Sequence, residues 1–386
     1  MSEDKAPAKY SQDGVNVPVG DAFSALAGKL TSTTHQNCPY VEVLDLSQGN
    51  FRGPKPYVFT GFPLERLCLE PAPDGIGTKV VIHDALGSHY NADWDLMAMG
   101  TTDSTRYGGL PFMLTSVLDV RSLGDSVESE QFKCYVSMIE GLVAAANEIG
   151  LVLLKGETAE VGACVGSDNP NSVAPFNWSG FVQGIMFRDK MILGDRVRPG
   201  DSVVALRENG FRSNGISAVR KAFKKAFGDD FYSNPDAQTD LCAAGLPSKL
   251  YDRALNTAHG WYEPDFRPLI DMRLIAHISG GGIGKFVELL APTGLSAELD
   301  ELYELPEIMR KCASWRGLSD RELYTTFNGG QGALVVLPVE QVLDFVELAE
   351  AYGIEAKPCG HITKSTKTRV SLFSKYNGDK LVFKTS

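Results

Sequence analysis

Cysteine is scarce and unpaired in this chain. Its seven cysteines, Cys38, Cys68, Cys134, Cys164, Cys242, Cys312 and Cys359, are scattered, and no two form a CxxC. That pattern argues against a disulfide scaffold and a zinc site built on paired thiols. Long apolar runs are missing too; stretches such as 151–154 are far too short to cross a bilayer. The opening residues are polar and lack the apolar core of a signal peptide, so a reducing, cytoplasmic setting is expected. Positive charge is in deficit: 37 Lys and Arg against 48 Asp and Glu leave a net charge of −11. Such a field repels phosphate backbones, which makes nucleic acid a poor partner. An anionic small substrate then needs a local cationic pocket or a metal ion. A serine-hydrolase elbow, an HExxH and any repeat of 20 to 50 residues are also absent.

What is present is the composition of a folded soluble protein, 43% hydrophobic and 22% charged, in 386 residues. Residues 1–17 read as an arm. Phe23, Leu26 and Leu30 give 18–30 one helical face, whereas 35–56 lack periodicity and read as loop. Trp94, Met97 and Ala98 begin a helix that breaks at Gly108-Gly109. Residues 112–120 suit a strand. Phe132, Val136, Ile139, Val143 and Ala146 step by four and three, a strong helix pattern. Residues 151–154 read as a buried strand running into a Gly-Glu-Thr loop, and 176–187 as another strand. Turn chemistry at Gly194-Asp195 and Pro199-Gly200 places a boundary near 188–200. Beyond it come a strand at 202–206, a polar loop at 208–215 and a helix from Ile216. A glycine cluster, a helix through Phe286 and Leu290 and a strand at 333–338 follow. A helix at 342–351 and strands at 369–373 and 381–384 close the chain. Two mixed α/β halves, 18–190 and 191–386, account for this alternation most simply.

Six segments carry residues suited to chemistry. In Asp74-Gly75-Ile76-Gly77-Thr78-Lys79 the glycines let backbone approach a ligand, Lys79 offers a charge for phosphate, and Asp74 is a hard oxygen ligand. Asp93, Asp95 and Asp103 form a second group; on one continuous helix Asp95 and Asp103 sit about 80° apart in projection. Asp93 near a helix start also simply suits the helix dipole. Lys155-Gly156-Glu157-Thr158-Ala159-Glu160 lies at the end of a strand, where α/β folds carry ligands. It also reads as a helix cap at Thr158. Arg212-Ser213-Asn214-Gly215 precedes a helix, whose free N–H groups suit anions. Gly280, Gly281 and Gly282 open a loop that fails the GxxxxGK test but can cradle phosphate with backbone amides. His277 stands just before it and, taken alone, suits ordinary packing. Thr326-Phe327-Asn328-Gly329-Gly330-Gln331-Gly332 forms a tight loop ahead of a strand.

In this order the segments resemble the aminoimidazole ribonucleotide synthetase family, the phosphoribosylformylglycinamidine cyclo-ligases. Tyr10, Gly14 and Val15 are similar to its Y-x-x-x-G-V start, residues 74–79 to D-G-[VI]-G-T-K, and 95–99 to D-L-V-A-M. Residues 156–160 match G-E-T-A-E, 213–215 S-N-G, 276–282 A-H-[IL]-[ST]-G-G-G, and 326–332 T-F-N-x-G-x-G. The resemblance implies an α/β fold of two ferredoxin-like-related halves, the first pairing across a homodimer. It implies ATP-dependent closure of an imidazole ring on a phosphorylated ribonucleotide, with magnesium, and leaves a potassium requirement open. By resemblance, Lys79, Asp103 and Glu157 are catalytic, and Asp74, Asp95, Asp103 and Glu157 hold metal. Asp74, Gly75, Gly77, Thr78, Lys79, Gly280, Gly281 and Gly282 meet ATP; Arg212, Ser213, Asn214, His277 and Asn328 meet substrate. Thr102 and Arg212 stand where the family usually has Asn and His, and an arginine cannot serve as a general base. The glycine segment Gly49-Asn50-Phe51-Arg52-Gly53 is thin for the family's nucleotide loop. Thiamine-monophosphate kinases, selenide water dikinases, carbamoyl-dehydrating hydrogenase maturation factors and a non-catalytic nucleotide-binding paralogue are the alternatives.

Overall fold

The structure is a computed structural model and describes residues 16–61 and 63–384. Most of the arm, with Tyr10, Gly14 and Val15, lies outside the described residues. The chain divides into two compact units. Of the described residues, the first comprises 16–61, 63–65, 71–100 and 111–183; the second comprises 66–70, 101–110 and 184–384.

Two short strands, β1 (Val41–Val43) and β2 (Tyr57–Phe59), pair antiparallel; β1 falls inside the 35–56 segment expected as loop and β2 just beyond it. A four-stranded sheet has the order β3-β6-β4-β5, from β3 (Leu67–Gly75), β4 (Leu110–Val120), β5 (Val152–Glu160) and β6 (Phe176–Phe187). β4 and β5 run parallel, which demands a crossover. The helix Glu130–Ile149 supplies it and stops at Gly150, whose φ of 78° terminates the last turn. Its apolar face meets the helices Val17–Ser32 and His89–Gly100, and Phe23 touches Phe132 edge-on at 5.8 Å.

The second unit holds a seven-stranded sheet. Its strands are β7 (Ser202–Arg207), β8 (Leu274–His277), β9 (Ser296–Leu299), β10 (Gln331–Leu337), β11 (Ala356–Thr363), β12 (Arg369–Phe373) and β13 (Lys380–Lys384). They take the order β13-β12-β9-β11-β7-β10-β8. β10 is buried at every position and antiparallel to both β7 and β8. The carboxyl ends of β7 and β8 therefore meet the amino end of β10 at one edge of the sheet. Val204, Leu206, Ile275, Val335 and Phe345 anchor the core behind that edge.

Of the helices Asp252–Ala258, Glu307–Arg316 and Asp320–Thr326, the second buries Ile308, Met309, Cys312 and Ala313 as one face, a spacing already present in the sequence. Asp320–Thr326 is instead announced by a capping box, Ser319 with Glu322. Among the described residues no helix is long and apolar enough to cross a membrane. The cysteines are free thiols.

Candidate active site

In the first unit the Asp74–Lys79 segment ends β3 and turns into a short 3₁₀ turn, Gly77–Lys79. Asp74, Gly77 and Thr78 are exposed. Asp74 accepts the Gly75 amide hydrogen bond at 2.7 Å. Lys79 turns the other way. Its Nζ lies 2.8 Å from Asp95 Oδ2 and 2.9 Å from Oδ1, and both side chains are fully buried. His83 Nε2 sits 2.8 Å from the same carboxylate, and its Nδ1 lies 3.0 Å from Ser88 Oγ. Burial opposes charge on Asp95, but Lys79 and His83 outweigh it and hold the carboxyl well below the usual range. Burial keeps His83 low despite Asp95.

This corrects two expectations. Asp95 is committed to internal partners and does not present itself to a metal, and Lys79 is not displayed toward a phosphate. The physical reason is the desolvated setting: a buried carboxylate requires a buried cation, and Lys79 supplies it. Asp93 is equally buried, and neither of its oxygens has a protein partner among the described residues. Burial, with Asp95 nearby, pushes its carboxyl far up, toward the neutral form.

Gly156-Glu157-Thr158-Ala159-Glu160 is strand rather than loop, because β4 offers it a continuous parallel ladder from Ser116 to Val120. Glu157 is exposed on β5 and accepts from the Thr158 amide at 3.0 Å. Glu160 is tied down by the amides of Asn16 and Leu123 at 2.9 and 2.8 Å. A Cβ on Gly156 would stand 1.8 Å from the Phe51 ring, so only glycine admits the 49–53 segment here. An open concavity of about 320 Å³ lies over this sheet, lined by Thr115, Val117, Lys155, Glu157, Ser179 and Phe181 among others.

In the second unit, the helix His89–Gly100 having ended, Asp103 falls in a separate short helix, Thr102–Thr105. Its side chain is half exposed and bridges Arg106 at 3.1 Å. Thr105 donates to the buried Asp252, and also to the Thr101 carbonyl at 3.0 Å. Burial lifts the Asp252 carboxyl, with Thr105 and Thr101 partly restoring it.

Three of the glycine loops come together at the sheet edge formed by β7, β8 and β10. Asn328 is buried and ties two of them, donating to the Gly210 carbonyl and accepting from the Gly330 amide, both at 2.8 Å. Asn214 packs beside Gly280. Gly282 has φ +55°, and a Cβ there would lie 2.0 Å from the Tyr324 carbonyl, so the loop closes only over a glycine. The expected substrate residues Arg212, Ser213, Asn214, His277 and Asn328 thus belong to one cluster.

Arg212, expected to meet substrate, lies in the interior. It is 1% exposed and adopts φ +56°, an uncommon conformation for a side-chain-bearing residue. Its Nη1 lies 3.2 Å from both Glu208 Oε2 and the Lys249 carbonyl. Its guanidinium sits 5.6 Å from the Tyr251 ring centre. Tyr251 donates at 2.9 Å to the Arg207 carbonyl and contacts Glu208 at 3.2 Å. Burial and Glu208 push its phenol far up. Sequence reading missed Glu208, Tyr251, Asp252 and Arg106, which no motif marks. His277 ends β8, buried, with neither ring nitrogen partnered by a described residue. Burial, then Arg212 and Arg106, hold its imidazole down to about 3.

These elements define an α/β protein whose polar cluster sits where the glycine loops leave a mixed sheet. The fold is shared with thiamine-monophosphate kinase from Stenotrophomonas maltophilia, at TM-score 0.56 and 15% identity over 87% of this chain and 92% of that one. It is shared also with hydrogenase maturation protein HypE in complex with ATP, at TM-score 0.54 and 14% identity over 94% of each chain. The domain family "AIR synthase related protein, C-terminal domain" matches residues 198–373. The phosphoribosylformylglycinamidine cyclo-ligase of Desulfotalea psychrophila is 29% identical, covering 93% of this chain and 94% of that one. That of Oceanobacillus iheyensis is 27% identical over 94% and 99%. Nearly the whole length of the chain is thus similar to phosphoribosylformylglycinamidine cyclo-ligases, and its second part to the AIR synthase related C-terminal domain.

Proposed function

We propose that this protein is an ATP-dependent cyclo-ligase of purine biosynthesis, converting formylglycinamidine ribonucleotide to aminoimidazole ribonucleotide. The observation that carries the reading is likeness to cyclo-ligases along nearly the whole of both chains. The convergence of the 212–215, 280–284 and 326–332 loops at one sheet edge supports it. An amide oxygen is a poor leaving group until phosphorylated. ATP supplies the phosphoryl group, and the amidine nitrogen then displaces phosphate to close the ring. The glycine loop at 280–284 offers backbone N–H groups for phosphate, and Ser213 and Asn214 stand beside it to orient the ribonucleotide.

A resident magnesium site does not fit the residues present. Among the described residues no three His, Cys, Asp or Glu side chains gather as a metal site, and Asp95 is engaged internally. Magnesium is therefore assigned to the nucleotide, entering as part of the co-substrate. Such a metal needs one or two carboxylates beside its phosphates. Asp74, Asp103 and Glu157, which retain exposed surface, are the candidates. A second copy of the chain is the proposed partner. Val117 is 45% exposed on the interior strand β4, in the lining of the concavity, and an exposed apolar residue on an interior strand suits burial against another sheet.

The deciding experiment is ADP release from Mg-ATP with and without formylglycinamidine ribonucleotide. Substrate-dependent release matched by aminoimidazole product supports the reading. ATP binding without stimulation points to another acceptor, as in a thiamine-monophosphate kinase-like enzyme. Absence of both binding and turnover points to a non-catalytic paralogue.

A further inference from the structure

We infer that His277 takes up the proton that the attacking amidine nitrogen releases on ring closure. The assignment rests on the cyclo-ligase reading and deepens it. His277 is 4% exposed, and neither Nδ1 nor Nε2 meets a described residue. Two bare nitrogens on a buried ring are costly, about 1–3 kcal/mol for each unmet group, unless a ligand completes them. The ring stands at the end of β8, immediately before the loop that begins at Ile278.

The surroundings explain why this ring is kept bare. Tyr251 faces it with ring centres 6.2 Å apart. Glu208, the carboxylate that Tyr251 contacts, is taken by Arg212, Tyr251 and the Lys249 amide. Asp252 is taken by Thr105. Burial first, and then the positive field of Arg212 and Arg106, keep the imidazole neutral. The other side chains of the cluster cannot do this work. A guanidinium holds its protons, and amides and a serine hydroxyl are not bases at neutral pH.

A neutral imidazole in a cationic field is a weak base at rest. A phosphorylated substrate brings negative charge that offsets Arg106 and Arg212, so basicity rises when the site fills. The step balances. A C–N bond forms between the amidine nitrogen and the carbon of the phosphorylated amide. The C–O bond to phosphate breaks, and phosphate leaves with the electron pair. The nitrogen's proton passes to a His277 ring nitrogen and then to water.

The test pairs kinetics with NMR on the full chain. His277→Gln is expected to lower kcat roughly 10²–10⁴-fold, with KM for the ribonucleotide within about threefold. A raised KM at wild-type kcat would make His277 a binding group and overturn the assignment. Should the variant misfold, the wild type decides. Its His277 Cε1–H signal should not titrate from about pH 5 to 8 when free. In the substrate complex its midpoint should rise into that window. Calorimetric binding of substrate with an unmoved His277 midpoint would overturn the assignment and leave the cyclo-ligase reading standing. No binding and no turnover by the wild type would sink that reading, and this assignment with it.

Discussion

Lys79 Nζ and Asp95 Oδ2 face each other at 2.8 Å, and neither side chain has any exposed surface. The lysine that closes the D-G-I-G-T-K motif thus grips the helix His89–Gly100 from inside. It sets where Asp74, Gly77 and Thr78 are displayed. Removing one partner leaves an uncompensated buried charge, which typically costs about 3–5 kcal/mol. Lys79→Ala is expected to lose stability on that scale in denaturant melts. Lys79→Met combined with Asp95→Leu should recover most of the loss. Should the double variant prove no more stable than Lys79→Ala, the pair is not what holds the segment.

His89 predicts a pH dependence. Burial disfavours its charged form, but Asp84, with Nε2 to Oδ1 at 3.3 Å, and Cys134 outweigh burial and raise it to about 9. The same carboxylate holds Ser172 and the Ala174 amide, and so anchors that loop. A histidine raised on folding contributes stability fully below its unfolded value, near 6.5, and loses it as pH climbs through the folded one. Wild type should therefore exceed His89→Gln by roughly 2–3 kcal/mol near pH 6. The gap should close between pH 6.5 and about 9. A gap that is constant over this range would show that His89 stays neutral.

Asp103 tests the division between structure and chemistry. Its side chain is half exposed, and its bridge to Arg106 is a near-surface pair of small energetic weight. Asp103→Ala should melt within about 0.5 kcal/mol of wild type. ATP turnover should nonetheless fall by roughly 10²-fold or more, as expected for loss of a charge at a phosphoryl-transfer site. Near-normal turnover would remove Asp103 from the chemistry.

Much of this molecule was legible in the sequence. Strict three-and-four spacing from Phe132 to Ala146 marked the helix Glu130–Ile149, because one stripe must face the core. Apolar runs marked β4, β6, β7 and β10, and glycines marked the loops at 212–215, 280–284 and 326–332. Periodicity could not tell that Gly156–Glu160 continues a strand, since its ladder partner lies some forty residues away in β4. What only the tertiary structure decided is where each charge points. Lys79 and Asp95 look like site residues in sequence, yet they neutralise each other in the interior. Arg212 reads in sequence as a substrate contact, yet Glu208 and the Lys249 carbonyl hold it. A residue type fixes the charge it can carry. Desolvation and partners brought from distant segments fix whether that charge is spent on the fold or offered to a ligand.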